Sequence, residues 1–266
     1  MVGVVGAVQS DEGIKADRSG ERIESALRNK NIEYYLVKDI ERETTVKLRA
    51  VATDRNRVMA RIDFESDFAL SDAAAEELIN RAISVLQNCD GLILSDYKKG
   101  VLSDNAVTSA LISAARARKI PIVVDPKGSN WTRYNNATLL TPNVSELCVG
   151  ARLDSDADLP TMTAEARNLI GALNLRAIAL TRSAQGITLV EAGGSQPIEF
   201  PATTSNALDV TGAGDTVVAT LASLLIAGKD LVTAVKLANI AAGIVVSSTP
   251  LSRTVTPGEI VSRMCG

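Results

Sequence analysis

Two periodicities divide this chain. Between residues 44 and 64, Val46, Leu48, Ala50 and Ala52 alternate with Thr45, Lys47, Arg49 and Val51, and Val58, Ala60 and Ile62 resume the alternation after the turn-prone Asp54-Arg55-Asn56. A period of two sends successive side chains to opposite faces, so the stretch predicts a β-hairpin. Lys47 and Arg49 then share a face. Pattern alone favours a solvated charged face there; the alternative is a lid with two cations aimed at an anionic substrate. From residue 71 onward, short apolar runs alternate with stretches of helical spacing. Helices are predicted at 71–88, opened by Ser71 as cap, and at 103–119, 162–174, 213–227 and 230–247. Strands are predicted at 91–95, 120–124, 137–140 and 177–180, with a closing hairpin from 186–190 and 197–200. Ahead of the lid, 2–5 and 33–37 read as strands around a helix at 20–29. The alternation calls for an α/β fold with a mostly parallel sheet, helices on both faces and a small hairpin lid. The expected organisation is one domain over 1–266 with the lid at 44–64.

Polar residues fall in a telling place. Asp96, Asp125, Asn143 and Thr181 each stand just past the carboxyl end of a predicted strand, the edge where open α/β sheets bind ligands. A second signal lies near the end of the chain, in Asp209-Val210-Thr211-Gly212-Ala213-Gly214-Asp215-Thr216, which runs straight into an apolar helix. The first turn of a helix leaves backbone N–H groups without partners, and the helix dipole adds positive charge there. Gly212 and Gly214 let a ligand approach that anion cradle closely. Asp215 is placed to take a proton from an attacking hydroxyl, and Asp209 to reach a phosphate-bound metal. Tight packing and a first-turn cap are the bland explanations. Two carboxylates bracketing two threonines and a Gly-Ala-Gly on a helix start make function the better reading.

Composition narrows the chemistry. The chain of 266 residues has no histidine, which excludes Ser-His-Asp triads, His-ligated metals and imidazole acid–base catalysis. Proton transfer falls to a carboxylate, Lys, Tyr, Cys or water. An apolar share of 46% with only 3% aromatic residues predicts a core of Ala, Val, Leu and Ile. A net charge of −3 argues against a nucleic-acid surface, and no run is long enough to insert in a membrane. Cys89, Cys148 and Cys265 are odd in number and far apart, as expected in a reducing compartment such as the cytoplasm.

The Asp209–Thr216 octet resembles the signature of the ribokinase-type (PfkB) carbohydrate kinases. In that family the Asp matching Asp215 is the catalytic base, and the amides matching Gly212, Ala213 and Gly214 form the anion hole. Thr141-Pro142-Asn143-Val144-Ser145-Glu146 resembles the family's Asn-x-x-Glu element, which arranges Mg²⁺, its waters and phosphate; read from the residues alone, Asn143 and Glu146 serve equally well as a helix capping box. Ser95-Asp96-Tyr97-Lys98-Lys99-Gly100-Val101-Leu102 is similar to a segment of the heptose-7-phosphate kinases of lipopolysaccharide precursor synthesis. Thr44–Arg49, Arg61–Glu65, Asp125–Gly128 and Thr181-Arg182-Ser183-x-x-Gly186 match the same group. The resemblance runs from about Val2 to Val255. It implies that Lys47 and Arg49 hold the sugar 7-phosphate, with Asp96, Lys99 and Asp209 as further substrate contacts. It also implies that Lys127, Thr181, Arg182, Gly186 and Asn239 lie along the nucleotide. The implied reaction moves the γ-phosphoryl group of ATP, with Mg²⁺, to the anomeric hydroxyl of D-glycero-D-manno-heptose 7-phosphate. The implied partners are these small molecules and a second copy of the chain, paired through the lid.

Family members carry an additional first strand, lid strands and a Gly-Gly-x-x-Asn substrate motif ahead of the point matching Gly3-Val4-Val5-Gly6, so the chain reads as N-terminally truncated. Two alternatives follow: another sugar or sugar-phosphate kinase of the same fold, or an inactive nucleotide-binding module that keeps the cradle alone.

Overall fold

The computed structural model describes residues 1–11, 13–52, 57–103, 105–194, 196–204, 211–247 and 254–265. The chain forms two units, one from 1–87 with 98–111 and the other from 88–97 with 112–266.

In the first unit, β1 (Val2–Ser10) pairs in parallel with β3 (Tyr35–Asp39) and antiparallel with β2 (Gly13–Ala16). The sequence pattern ends the first strand at residue 5. In the structure it continues to Ser10 and returns as β2, with Ala7 opposite Ala16. Helix α1 (Arg18–Asn29) follows, capped by Asp17, whose Oδ1 accepts from the Gly20 amide at 2.7 Å while Oδ2 accepts from the Thr44 amide at 2.8 Å. The predicted hairpin is present as β4 (Val46–Ala52) against β5 (Arg57–Phe64), with Leu48 opposite Ile62 and Lys47 opposite Asp63. Its turn, Asp54-Arg55-Asn56, lies outside the described residues. Helix α2 (Asp72–Leu86) packs on β1 and β3 and begins, as its sequence predicts, on Ser71.

One buried cation ties this unit together. Arg42 is buried beside Asp39, with Nε 3.1 Å from Oδ2. Its guanidinium also donates to the carbonyls of Lys99 at 3.0 Å, Phe68 at 3.2 Å and Ala69 at 3.1 Å. It therefore joins the end of β3, the segment before α2 and the loop after Tyr97. At that loop Gly100 has φ +85°, and a Cβ there would lie 1.7 Å from the Phe68 carbonyl oxygen, so only glycine fits.

In the second unit a six-stranded sheet runs in the order β11-β10-β9-β8-β7-β6. β6 (Leu92–Ser95), β7 (Ile122–Asp125), β8 (Leu139–Leu140) and β9 (Ala177–Thr181) are parallel. β10 (Ile187–Glu191) and β11 (Ile198–Phe200) close the sheet antiparallel. Helix α3 (Asn105–Ala117) precedes β7, and α4 (Val144–Ala151) and α5 (Leu159–Ala172) precede β9. α5 starts three residues earlier than its apolar spacing predicts, because Asp158 caps it and Pro160 fits its first turn. Helices α6 (Ala213–Ile226), α7 (Leu231–Val246) and α8 (Pro257–Cys265) end the chain; α8 has no counterpart among the predicted helices.

Alternation along β9 shows why both faces of this sheet are apolar. Ala177 and Ala179 join Val123, Leu139, Ile187 and Leu189 against Val217, Leu221 and Val235 of α6 and α7. Ile178 and Leu180, also fully buried, point to the opposite face, where α4 and α5 contact β9. Among the described residues no helix is long and apolar enough to cross a membrane.

Replacing Arg42 by Met leaves Asp39 charged, buried and unpaired, which by the usual cost of breaking a buried pair removes about 3 kcal/mol. Urea unfolding of Arg42→Met should show a clearly lowered midpoint; a midpoint equal to that of the parent would mean that the cation is dispensable.

Candidate active site

Helix α6 organises this site. Its first intrahelical bond runs from the Thr216 amide to the Gly212 carbonyl at 3.0 Å, so the amides of Ala213, Gly214 and Asp215 precede the helical ladder. Helices α1, α2, α4, α5 and α7 all begin on a side-chain cap, from Asp17, Ser71, Asn143, Asp158 and Asp230. α6 begins instead on Gly212, at φ +80°, with no side-chain cap. Among the described residues no side chain accepts from its opening amides.

Two adjoining pockets meet at that helix start. The larger, about 330 Å³, is lined mainly by small and apolar residues, among them Ala184, Ile187, Val217 and Val246, and by Asn143, Thr181, Gly186, Gly214 and Asn239. Asn239 is buried, with its Nδ2 donating to the Pro201 carbonyl at 2.7 Å. The smaller, about 160 Å³, is polar and is lined by Tyr97, Asp125, Lys127, Thr141, Asn143, Glu146, Thr181, Gly214 and Asp215. Asn143, Thr181 and Gly214 belong to both. β7, β8 and β9 thus deliver Asp125, Asn143 and Thr181 to one sheet edge, and α6 delivers Asp215 to the same place.

Asn143 and Glu146 form a complete capping box at the start of α4. The Glu146 amide donates to Asn143 Oδ1 at 2.8 Å, and the Asn143 amide donates to Glu146 Oε2 at 2.8 Å. The other Glu146 oxygen, Oε1, lies 2.6 Å from Lys127 Nζ, which also reaches Asp125 Oδ1 at 3.0 Å. The cap and the pocket wall are therefore the same residues. Asp215 is exposed, and its Oδ1 accepts from the Tyr97 hydroxyl at 2.8 Å.

Burial raises Asp125 to about 6, opposed by Lys127 and reinforced by the negative charges of Glu146 and Asp215. Lys127 is pulled down by burial, but Glu146 and Asp125 outweigh this and hold it above the ordinary lysine range. Asp125, Glu146 and Lys127 thus form a compact ionic group behind Asp215.

Three comparisons with known proteins bear on this arrangement. Residues 4–256 match the model of the pfkB family carbohydrate kinases. The chain belongs to the pfkB family of carbohydrate kinases. It is 44% identical over 204 residues to the bifunctional protein HldE of Hahella chejuensis, an alignment covering 76% of this chain and 40% of that protein. The chain spans half or less of the length of the curated relatives it matches. The structure is similar to phosphofructokinase-2 from Escherichia coli in complex with potassium, with a TM-score of 0.78 at 16% identity over 99% of this chain and 80% of that one. It is also similar to ribokinase from Thermotoga maritima, with a TM-score of 0.71 at 18% identity over 99% of this chain and 80% of that one. The fold of this member of the pfkB family is ribokinase-like.

Several candidate residues sit otherwise than their sequence suggests. Asp96 was expected in the open site. It is 2% exposed, and its Oδ2 accepts from Arg133 at 2.9 Å and from the Tyr134 hydroxyl at 2.6 Å. It anchors the loop after β7 and lines neither pocket. Arg182 is expected along the nucleotide. Its guanidinium instead pairs with Glu199 of β11 at 2.6 Å, while its backbone closes the turn to Gly186 at 2.7 Å. In the first unit, Lys47 pairs with Asp63 at 3.2 Å and Glu65 at 2.7 Å, and Lys99 pairs with the same Glu65. Arg49 is exposed on the Lys47 face of the hairpin, opposite Arg61. Asp209 lies outside the described residues. Asp125, Tyr97 and Thr141 are in the polar pocket although the motifs assign them no role; the position of Asp125 at a strand end was the one available signal.

Asp125 ties the site to stability. The folded state holds its proton to higher pH than the unfolded chain does, so its contribution is most favourable below the ordinary carboxylate value of 3.8 and is lost as pH rises through about 6. The loss is on the order of 3 kcal/mol. Asp125→Asn has no such loss, so its melting temperature relative to the parent should be higher at pH 7.5 than at pH 4.5. A difference that does not change between those two pH values would refute the assignment.

Proposed function

We propose that this pfkB kinase transfers the γ-phosphoryl group of ATP to the anomeric hydroxyl of a heptose 7-phosphate. The observation that carries the reading is the meeting of Asp215 and the uncapped start of α6 with a polar pocket and an apolar one at a single sheet edge. The larger pocket suits an adenosine moiety, with Asn239 and Gly186 beside it. The smaller suits the phosphates, with Lys127 and the amides of Ala213 and Gly214 around them. In transfer the sugar oxygen forms a bond to the γ-phosphorus, the bond from that phosphorus to the bridging oxygen of ADP breaks, and the hydroxyl proton passes to Asp215. Asp215 supplies the acceptor for that proton. The helix start and Lys127 offset charge on the oxygens of the moving group.

The donors around the polar pocket are oxygens, from Asn143, Glu146, Thr141 and Thr181. They fit Mg²⁺, a hard ion that prefers oxygen and keeps much of its water. No group of three His, Cys, Asp or Glu side chains that could cage a metal occurs among the described residues, so Asn143 and Glu146 would hold the ion through water. Bound there, it would neutralise charge on the phosphates.

The heptose assignment rests on the 44% identity to HldE and on the Ser95–Leu102 segment. Lys47, Arg49 and Lys99 are the cations proposed for the sugar phosphate; Glu65, which holds two of them, would release them to it. The exposed apolar face of the hairpin, Leu48, Ile62 and Phe64, supports pairing with a second copy of the chain.

Asp215→Asn should lower turnover by about a thousandfold or more, in the range of lost general-base catalysis together with lost charge. ATP binding measured by calorimetry should stay within about threefold of the parent, a change of under 1 kcal/mol. Turnover at the parent rate would remove Asp215 from its role.

A further inference from the structure

Asp215 occupies the third position of α6, next to amides that have no cap. A carboxylate at such a position has a competing conformation, in which it folds back to accept from its own helix start. That conformation would withdraw the base and block the amides at once. In the structure Asp215 does not fold back. Its Oδ1 is held by the Tyr97 hydroxyl at 2.8 Å, from a residue 118 positions away.

Tyr97 is itself firmly placed. The preceding residue, Asp96, is buried in its bonds with Arg133 and Tyr134, so the backbone at the root of Tyr97 is fixed while its ring reaches the pocket. The groups facing its hydroxyl are Asp215, Asp125 and the Ser95 hydroxyl. Partial burial, followed by the hydrogen bond to Asp215, raises the phenol above its ordinary value, so it remains a donor throughout the working pH range.

We propose that Tyr97 is a positioning residue for the base: its hydroxyl claims Oδ1 of Asp215, keeps the carboxylate off its own helix start and leaves Oδ2 to receive the proton of the sugar hydroxyl. The proposal rests on the reading of Asp215 given above.

Tyr97→Phe keeps the ring and removes the donor. Losing one hydrogen bond to a charged group should lower kcat about 10- to 100-fold, with KM for ATP and for the sugar phosphate unchanged and the melting temperature at the parent value. A raised KM at parental kcat would make Tyr97 a binding residue and overturn the proposal. Parental kcat in Tyr97→Phe beside loss of turnover in Asp215→Asn would overturn it while leaving the proposed function standing. Turnover retained in Asp215→Asn would remove both. A measurement independent of turnover is the titration of the Tyr97 phenol, followed by NMR of ring-labelled tyrosine and assigned with Tyr97→Phe. In Asp215→Asn the phenol should titrate at lower pH than in the parent, Asp125 being unchanged; an unmoved titration would show that the contact is not made in solution and would overturn the proposal.

Discussion

The constraint on which the site depends is the burial of one face of α6 against the parallel sheet. Val217, Val218, Leu221 and Ala222 are all buried there among Val123, Leu139 and Ala177. Each large apolar side chain so placed contributes about 1.5–3 kcal/mol. A helix held that firmly cannot slide, and its first turn is fixed at the carboxyl edge of the strands. The protein leaves that turn without a side-chain cap, which it supplies at six other helices among the described residues and which is worth about 1 kcal/mol. Apolar packing along the helix makes the omission tolerable, and the omission keeps the amides available.

The second organising feature is charge imbalance. The polar pocket sets Asp125, Glu146 and Asp215 against a single ammonium, Lys127. Burial pushes the Asp125 carboxyl up to about 6, and the negative charges of Glu146 and Asp215 add to the rise. A bare polyphosphate would meet net repulsion here, offset by Lys127 and the helix start alone. A phosphate that arrives with its own cation meets attraction on both sides. The same carboxylates that discourage a free anion therefore suit a metal-bound one, and Lys127 holds two of them together in the meantime.

Much of this was legible in the residues. The change of period at the hairpin, the strand–helix alternation and the Ser71 cap all have local causes, and local causes leave local signatures. The Asn143/Glu146 pair was legible as either a cap or a site. The structure shows the cap, made with one Glu146 oxygen, and turns the other oxygen to Lys127 in the polar pocket. Asp96 misleads for a physical reason. A position just past a strand end locates the backbone at the ligand edge but does not say which way the side chain turns, and the partners that bury it, Arg133 and Tyr134, come more than thirty residues later. The partner of Arg182 is distant in sequence in the same way, since Glu199 reaches it from the closing hairpin. The extension of β1 was hidden because the residues that build it include the small or polar Gly6, Ala7, Gln9 and Ser10, which carry little apolar alternation.

The buried Asp96 and the exposed Tyr97 together show how the site divides its work. Adjacent residues of a short loop after β6 have opposite fates: one carboxylate is withdrawn into bonds with a guanidinium and a phenol, and the next side chain projects to Asp215. The bonds of the first restrain the backbone from which the second reaches Asp215, as a loop side chain needs if it is to hold a fixed contact. The polar residues at this sheet edge are thus of two kinds. Some face the pockets, and others, fully buried, hold the loops that carry them. Burial, rather than position along the strand, separates the two.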